Sequence, residues 1–273
     1  MNIRPILLIT LMMMISITAG FAQDMKMATT TSLEDSGLLS YLLPEFALQT
    51  NIKILPIARG TGAAISEARE GNVDLVFTHA RELEEAFVAD GYGTTRVPVM
   101  YNDFVIVGPA NDPCQIDGLK DCLAALKKIA DQSKAALFIS RGDNSGTHIL
   151  EKALWAAAET KMPPERYLSV GQGMGRTLLI ALEKQAYTLT DRATYLMFNQ
   201  GKDQPAPLKI MCEGDQRLHN EYAVIPVNPE RHKHVNFEAA SKFVGWLTSE
   251  QGQKMISDFR IAGQQVFFTL PKP

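Results

Sequence analysis

The chain has 273 residues, 46% hydrophobic and 21% charged, with 27 Lys and Arg against 30 Asp and Glu for a net charge of −3. These values exclude a disordered chain, a collagen and a disulfide-dense miniprotein, and the length allows one large or two small domains. A slightly acidic molecule offers nucleic acid no general basic field, so an anionic ligand must be held by a local cluster of donors.

Met1–Ala22 reads as a secretory signal peptide. Arg4 is its only charge, the apolar run Ile6–Ile15 follows, and Gly20 and Ala22 are placed for cleavage after Ala22. The run is shorter than the ~20 apolar residues of a membrane span. No cysteine stands at the cleavage site, so the expectation is a soluble, exported protein without a lipid anchor.

Strand-like and helix-like runs then alternate. Met25–Thr30 predicts a strand, and Leu38, Leu39, Leu42, Leu43 and Phe46 share one helical face. Ile52–Ile57 predicts a strand, Ala63–Arg69 a helix stopped by Gly71, Val73–Phe77 a strand and Glu82–Ala89 a helix. Phe104–Val107 is an apolar strand closed by Gly108 and Pro109. A helix through Leu119, Leu123, Leu126 and Ala130 comes next, then a strand over Ala136–Ser140. The following helix carries Leu150, Ala153, Leu154 and Ala157 and must end at Pro163 and Pro164. Further helices are read near Thr177–Ala186 and Asp191–Gln200, around a strand near Tyr187–Leu189. Strands at Leu208–Cys212 and Glu221–Val227 precede two helices, one through Ala240, Phe243, Val244 and Leu247 and one through Met255, Ile256 and Phe259. This alternation predicts an α/β protein with mainly parallel sheets and helices on both faces. No low-complexity linker separates domains in series. The strands near 104–107 and 222–227 are candidates for crossings between two lobes, one inserted into the other.

Cys114, Cys122 and Cys212 are an odd set. Cys114 and Cys122 flank a turn, where an exported protein could form a small-loop disulfide, and three buried thiols are the alternative. The five histidines have no zinc-ligand spacing, and no metal site is expected.

Three segments share a pattern of short strand, small hydroxyl or glycine residues, then helix. They are Ala28-Thr29-Thr30-Thr31-Ser32, Arg59-Gly60-Thr61-Gly62 and Ser140-Arg141-Gly142-Asp143-Asn144-Ser145-Gly146-Thr147. A helix start has four backbone N–H groups without helical partners and about half a positive charge. Hydroxyls add donors, and glycine lets an anion approach the backbone. Three such starts in one cleft could encircle a tetrahedral anion, with Arg141 adding charge and a fork of donors. Taken singly, each is also an ordinary cap or turn. Gly171-Gln172-Gly173-Met174-Gly175 lacks dinucleotide-loop spacing. The run around Ser145 does not meet Gly-x-Ser-x-Gly, and no His–acid pair is placed to activate it.

Together these residues resemble the tungstate-binding subunits of ABC importers, a branch related to molybdate- and phosphate-binding periplasmic proteins. The resemblance is carried by Thr29–Leu39, Gly60-Thr61-Gly62, Val99–Pro109, Ser140–His148 and Tyr187–Tyr195, and covers nearly all of the mature chain. It implies a type II periplasmic-binding fold with two hinge crossings, lobe one being 23–105 plus 224–273 and lobe two 106–223. It implies oxyanion contacts from Thr31, Ser32, Thr61, Gly62, Arg141, Ser145, Gly146 and Thr147, with Arg59 at the rim. It further implies a monomer in the periplasm that delivers tungstate or molybdate to an inner-membrane ABC permease, with no cofactor, no nucleic-acid partner and no catalysis. The alternatives are a phosphate or sulfate receptor of the same fold, an oxyanion sensor docking a membrane receptor, and a serine hydrolase using Ser145. Asp143 decides between anions, because a protonated phosphate needs a carboxylate acceptor that a fully deprotonated dianion does not.

Overall fold

The computed structural model describes residues 23–131, 133, 135–200 and 208–270. The signal peptide read over 1–22 lies outside the described residues. Among the described residues no helix is long and apolar enough to cross a membrane.

The first half of the chain lays down β1 (Gln23–Thr30), α1 (Thr31–Asp35), α2 (Leu38–Thr50), β2 (Ile52–Arg59), α3 (Thr61–Arg69), β3 (Leu75–Thr78), α4 (Arg81–Ala89) and the long β4 (Val97–Pro109). It continues with α5 (Cys122–Ala130), β5 (Phe138–Ser140), α6 (Gly146–Ala157), β6 (Tyr167–Ser169), α7 (Met174–Glu183), β7 (Thr188–Asp191), α8 (Arg192–Asn199) and β8 (Leu208–Cys212). The last part is β9 (His219–Pro226), α9 (Phe237–Thr248), α10 (Glu250–Asp258), β10 (Arg260–Ile261), β11 (Gln264–Gln265) and β12 (Phe268–Thr269).

The main sheet has the order β12–β4–β9–β3–β1–β2, with β7 and β8 also paired to β4. β1 runs parallel to β2 and β3, and β5 parallel to β6. The pairs formed by β4 and β9 are antiparallel, so the sheets are more mixed than the mainly parallel ones expected from the alternation. The reason is connectivity. A strand that leaves one lobe and a strand that returns to it run in opposite directions and pair as such.

β4 is the structural link between the lobes. Its residues from Val97 to Asp103 pair with β9, and from Phe104 onward it pairs with β7, Phe104 facing Asp191. One lobe is built on β1, β2, β3, β9 and the first half of β4, the other on β5, β6, β7, β8 and the second half. The periodicity found only the apolar half of β4, because Val97–Asp103 mixes polar and apolar residues.

Two local readings change. The helix expected from Leu119 begins at Cys122, because Asp121 accepts from the N–H groups of Leu123 and Ala124 and caps it there. Leu119 instead makes a bridge to Cys212. The short α1 was not expected from sequence. It forms because Thr30 Oγ1 accepts from Leu33 N at 3.3 Å. All three cysteines are buried, and none is joined in a disulfide among the described residues.

The cores follow the layers. Ala28, Ala64, Ile65, Ala68, Val76 and Phe87 join α3 and α4 to one face of the sheet. Met27, Leu42, Phe46, Phe77 and Phe243 pack α2 and α9 on the other. Phe138, Trp155, Leu154, Tyr187 and Ile106 form the core of the second lobe. The C-terminal ends of β1, β2, β3, β5 and β7 each lead into a helix start, the end of an α/β sheet at which ligand crevices open.

Candidate functional site

Two helix starts from different lobes meet at Gly146. A Cβ placed on Gly146 would lie 3.5 Å from Thr61 Oγ1 and 2.8 Å from His79 Cε1. Thr61 opens α3 and Gly146 opens α6, so the loop tips do converge. His79 Nε2 is in turn 3.4 Å from Ser32 Oγ, which places the α1 start in the same cluster. Ser32, Thr61, Arg141, Ser145 and Thr147 are all buried, a combination that ordinary surface caps do not show.

The α6 start is heavily organised. Ser145 is the N-cap, its Oγ accepting from His148 N at 3.3 Å. Arg141 Nε and Nη2 both donate to Asp143 Oδ2, at 3.1 and 2.5 Å, and Asp143 Oδ1 accepts from Ser145 N at 3.1 Å. Burial pushes the Asp143 carboxyl upward, but the bonds from Ser145 and Arg141 outweigh it and hold the group below its ordinary range. Both oxygens of Asp143 are thus engaged inside the loop. Gly142 has φ +63°, and a Cβ there would strike Ser169 Oγ at 1.7 Å, so the tight turn that delivers Arg141 requires glycine.

The α3 start is different. Gly60 is its N-cap and supplies no side chain, and Thr61 Oγ1 is buried without a hydrogen-bond partner. A buried hydroxyl with nothing to bond is costly unless a ligand completes it.

The remaining expected residues divide. Thr31 is half-buried at the first position of α1. Gly62 is exposed, and a Cβ there would meet nothing within 4 Å, so no side-chain clash demands glycine at this position. Arg59 is exposed, donates to the carbonyl of Ala58, and lines an outer groove of about 930 Å³ with Lys26, Ile57 and Glu67. No hydrogen bond joins Arg59 to the buried cluster.

Sequence reasoning missed His79, Asn102, Asn220, Tyr222 and Asp191. His79 Nδ1 lies 3.0 Å from Asn220 Oδ1, Asn220 Nδ2 donates to Asn102 Oδ1 at 2.7 Å, and Asn102 Nδ2 lies 3.5 Å from Tyr222 Oη. Burial pushes His79 down to about 4, with the nearby Arg141 charge acting in the same direction and the Asn220 bond against it. Asp191 is buried at the end of β7 and caps α8, accepting from Thr194 N and Oγ1 at 2.9 and 2.6 Å. Burial raises its carboxyl, and the Arg141 charge opposes this. Position at a strand's C-terminal end was the signal that could have found His79 and Asp191.

The backbone N–H of His148 binds the Ser145 hydroxyl, and His148 Nδ1 accepts from Asn144 N at 3.0 Å. The His148 ring thus faces the backbone of its own loop and is not aimed at the Ser145 hydroxyl.

Comparison with known proteins places the chain in a family. The model of the PBP superfamily domain matches residues 18–251. The tungstate-binding protein TupA of Peptoclostridium acidaminophilum is 46% identical over 85% of this chain and 80% of its own. A putative ABC transporter anion-binding protein of Haloferax volcanii is 43% identical over 91% of this chain and 72% of its own. The solved structure of the tungstate-binding protein TupA from Desulfovibrio alaskensis G20 has a TM-score of 0.80 and 45% identity, covering 92% of this chain and all of that one. The chain therefore belongs to the PBP superfamily and, within it, to the family of the TupA tungstate-binding proteins.

Proposed function

We propose that the protein is the extracytoplasmic substrate-binding component of an ABC importer and captures tungstate, or its near-isostere molybdate, in the interlobe cleft. The observation that carries this reading is the buried, unpartnered Thr61 hydroxyl facing the α6 start of the opposite lobe, whose entering loop carries the buried Arg141. The expected contacts are Thr31, Ser32, Thr61, Gly62, Arg141, Ser145, Gly146 and Thr147. Backbone N–H groups and hydroxyls supply donors, and Arg141 supplies charge. Arg59 does not belong to this set, since it points into the outer groove.

The anion is captured and released with no bond made or broken. The lobes, divided at 105/106 and 223/224, close around it by bending the crossing strands. The closed, monomeric protein then docks on the permease at the periplasmic face of the inner membrane. A donor-only pocket favours a fully deprotonated dianion. The proton of a hydrogen phosphate would face other donors, an unpaired contact worth about 1–3 kcal/mol. In this reading Asp143 braces Arg141 and the Ser145 N–H within its own loop and is not an acceptor for the ligand. Sulfate is disfavoured by its smaller size. The choice between tungstate and molybdate rests on the named relatives.

A thermal-shift panel with tungstate, molybdate, sulfate and phosphate tests the reading. Stabilisation of about 4 kcal/mol is expected from tungstate at a thousandfold excess over Kd. A rise with phosphate alone would overturn the assignment.

A further inference from the structure

His79 lies outside the helix-start motifs, yet it stands against the α1 start at Ser32, the α6 start at Gly146 and the crossing strand at Asn220. Its tautomer is fixed by the amides behind it. Asn220 donates its Nδ2 to Asn102 Oδ1, so the Asn220 oxygen that faces His79 Nδ1 can only accept. Nδ1 therefore carries the proton, and Nε2 presents a lone pair to Ser32 Oγ. On the other side of Ser32, Thr30 Oγ1 lies 3.2 Å from Ser32 Oγ and already accepts from Leu33 N. Hydrogens thus run in one direction, from Thr30 to Ser32 to His79 to Asn220 to Asn102. The chain begins at the α1 start and ends on the two crossing strands, where Asn102 of β4 pairs with Asn220 of β9. The imidazole also abuts the α6 start, since a Cβ on Gly146 would lie 2.8 Å from its Cε1 and 3.1 Å from its Nδ1.

We propose that His79 is a positioning residue for anion binding. Through one directed chain of hydrogen bonds it fixes the α1 start to the crossing strands, and its ring is the surface on which the α6 start lands at closure. This rests on the oxyanion reading above and deepens it. The Ser32 hydroxyl faces His79, Thr30 and Tyr222, so in this reading the α1 start meets the anion through its backbone N–H groups and Thr31. A neutral imidazole suits this place. It keeps an acceptor for Ser32, and burial together with the Arg141 charge holds it unprotonated. Gly146 serves the same contact, because any side chain there would meet the ring before the lobes were fully closed.

The test is a pair of mutant cycles on the mature protein, read as Kd for sodium tungstate by calorimetry at pH 7.5. His79→Ala and Ser32→Ala are each expected to weaken binding about tenfold, and the double variant no more than either alone, because both remove one bond. Losses that multiply to about a hundredfold would overturn the relay. Gly146→Ala is expected to cost more than tenfold with His79 present and under threefold in the His79→Ala background. An equal loss in both backgrounds would overturn the landing contact. Should His79→Ala fail to fold, His79→Asn, which keeps the bond to Asn220 and removes Nε2, takes its place with the same expected pattern. Wild-type protein that binds none of the four oxyanions would instead sink the functional reading, so the two failures are distinguishable.

Discussion

The α3 and α6 starts face each other across the cleft and solve the same problem in opposite ways. α6 is capped by Ser145, braced by Asp143 and charged by Arg141, so its geometry is set by its own side chains. α3 is entered through Gly60 with no side-chain cap, and its Thr61 hydroxyl has no partner among the described residues. The first is preorganised and structurally self-sufficient. The second leaves a donor open, which only a ligand completes. Preorganisation on one side and an unmet donor on the other make closure dependent on the anion, because ligand binding can shift the equilibrium only through contacts that differ between the two states.

Four substitutions break or sharpen this contrast. The largest effect is expected from Arg141→Ala, which removes the buried guanidinium from the α6 side. Loss of one partner of a buried charge pair costs about 2–5 kcal/mol, which is on the order of thirtyfold to a thousandfold or more in Kd. Calorimetric titration showing unchanged affinity would remove Arg141 from the site.

Next comes Thr61→Val, which deletes a hydrogen bond to a charged ligand worth about 1.5–3 kcal/mol, roughly tenfold to a hundredfold in Kd. The unliganded melting temperature should not fall, because the hydroxyl bonds to nothing in the protein. A drop of several degrees without ligand would show that the hydroxyl is structural and erase the contrast with Ser145.

Ser145→Ala should do the opposite in the unliganded state. The lost cap costs about 1 kcal/mol of stability, visible in the melt before any anion is added. An unliganded melt identical to wild type would mean that the cap is idle.

The smallest effect is a pH dependence. Burial raises Glu151, on α6, to about 7, although the Tyr167 hydroxyl donates to it at 2.6 Å and pulls the other way. Its folded value lies above the ordinary 4.5, so the native state holds a proton that the unfolded chain releases. That stability is complete below pH 4.5 and is lost as pH rises toward 7. His79 has the opposite sign, contributing above pH 6.5 and losing its contribution as pH falls toward 4. Glu151→Gln should therefore gain melting temperature over wild type at pH 8 and not at pH 4.5. Equal shifts at both pH values would mean that Glu151 does not titrate in this range.

Much of the fold was legible locally. The faces of α2, α3 and α7 and the apolar strands announce themselves through spacing, because burial on one face imposes periodicity. The donor-rich turns were legible because hydroxyls and glycines gather before the helical runs, although each by itself would serve equally well as an ordinary cap. What stayed hidden was polar and distant in sequence. The first half of β4 carries mixed residues and gains its identity only by pairing with β9, more than a hundred residues later. Likewise, nothing near His79 in sequence reveals a bond to Asn220, 141 residues away. Arg59 shows how far neighbouring residues can diverge: its place beside Gly60 suggests the rim of the site, while the strand's alternation sets its side chain along a groove lined by Lys26, Ile57 and Glu67.

The order of residues alone settled most helices and strands, and that donor-rich turns stand ahead of α3 and α6, since caps and periodicity are short-range physics. Only the folded molecule decided that two of those turns face each other, that Thr61 is left without a partner while Ser145 is not, and that His79 stands between them. Those facts depend on which strand pairs with which across long loops. Side-chain chemistry within a few residues does not fix that pairing, which is set by the joint burial of all the layers.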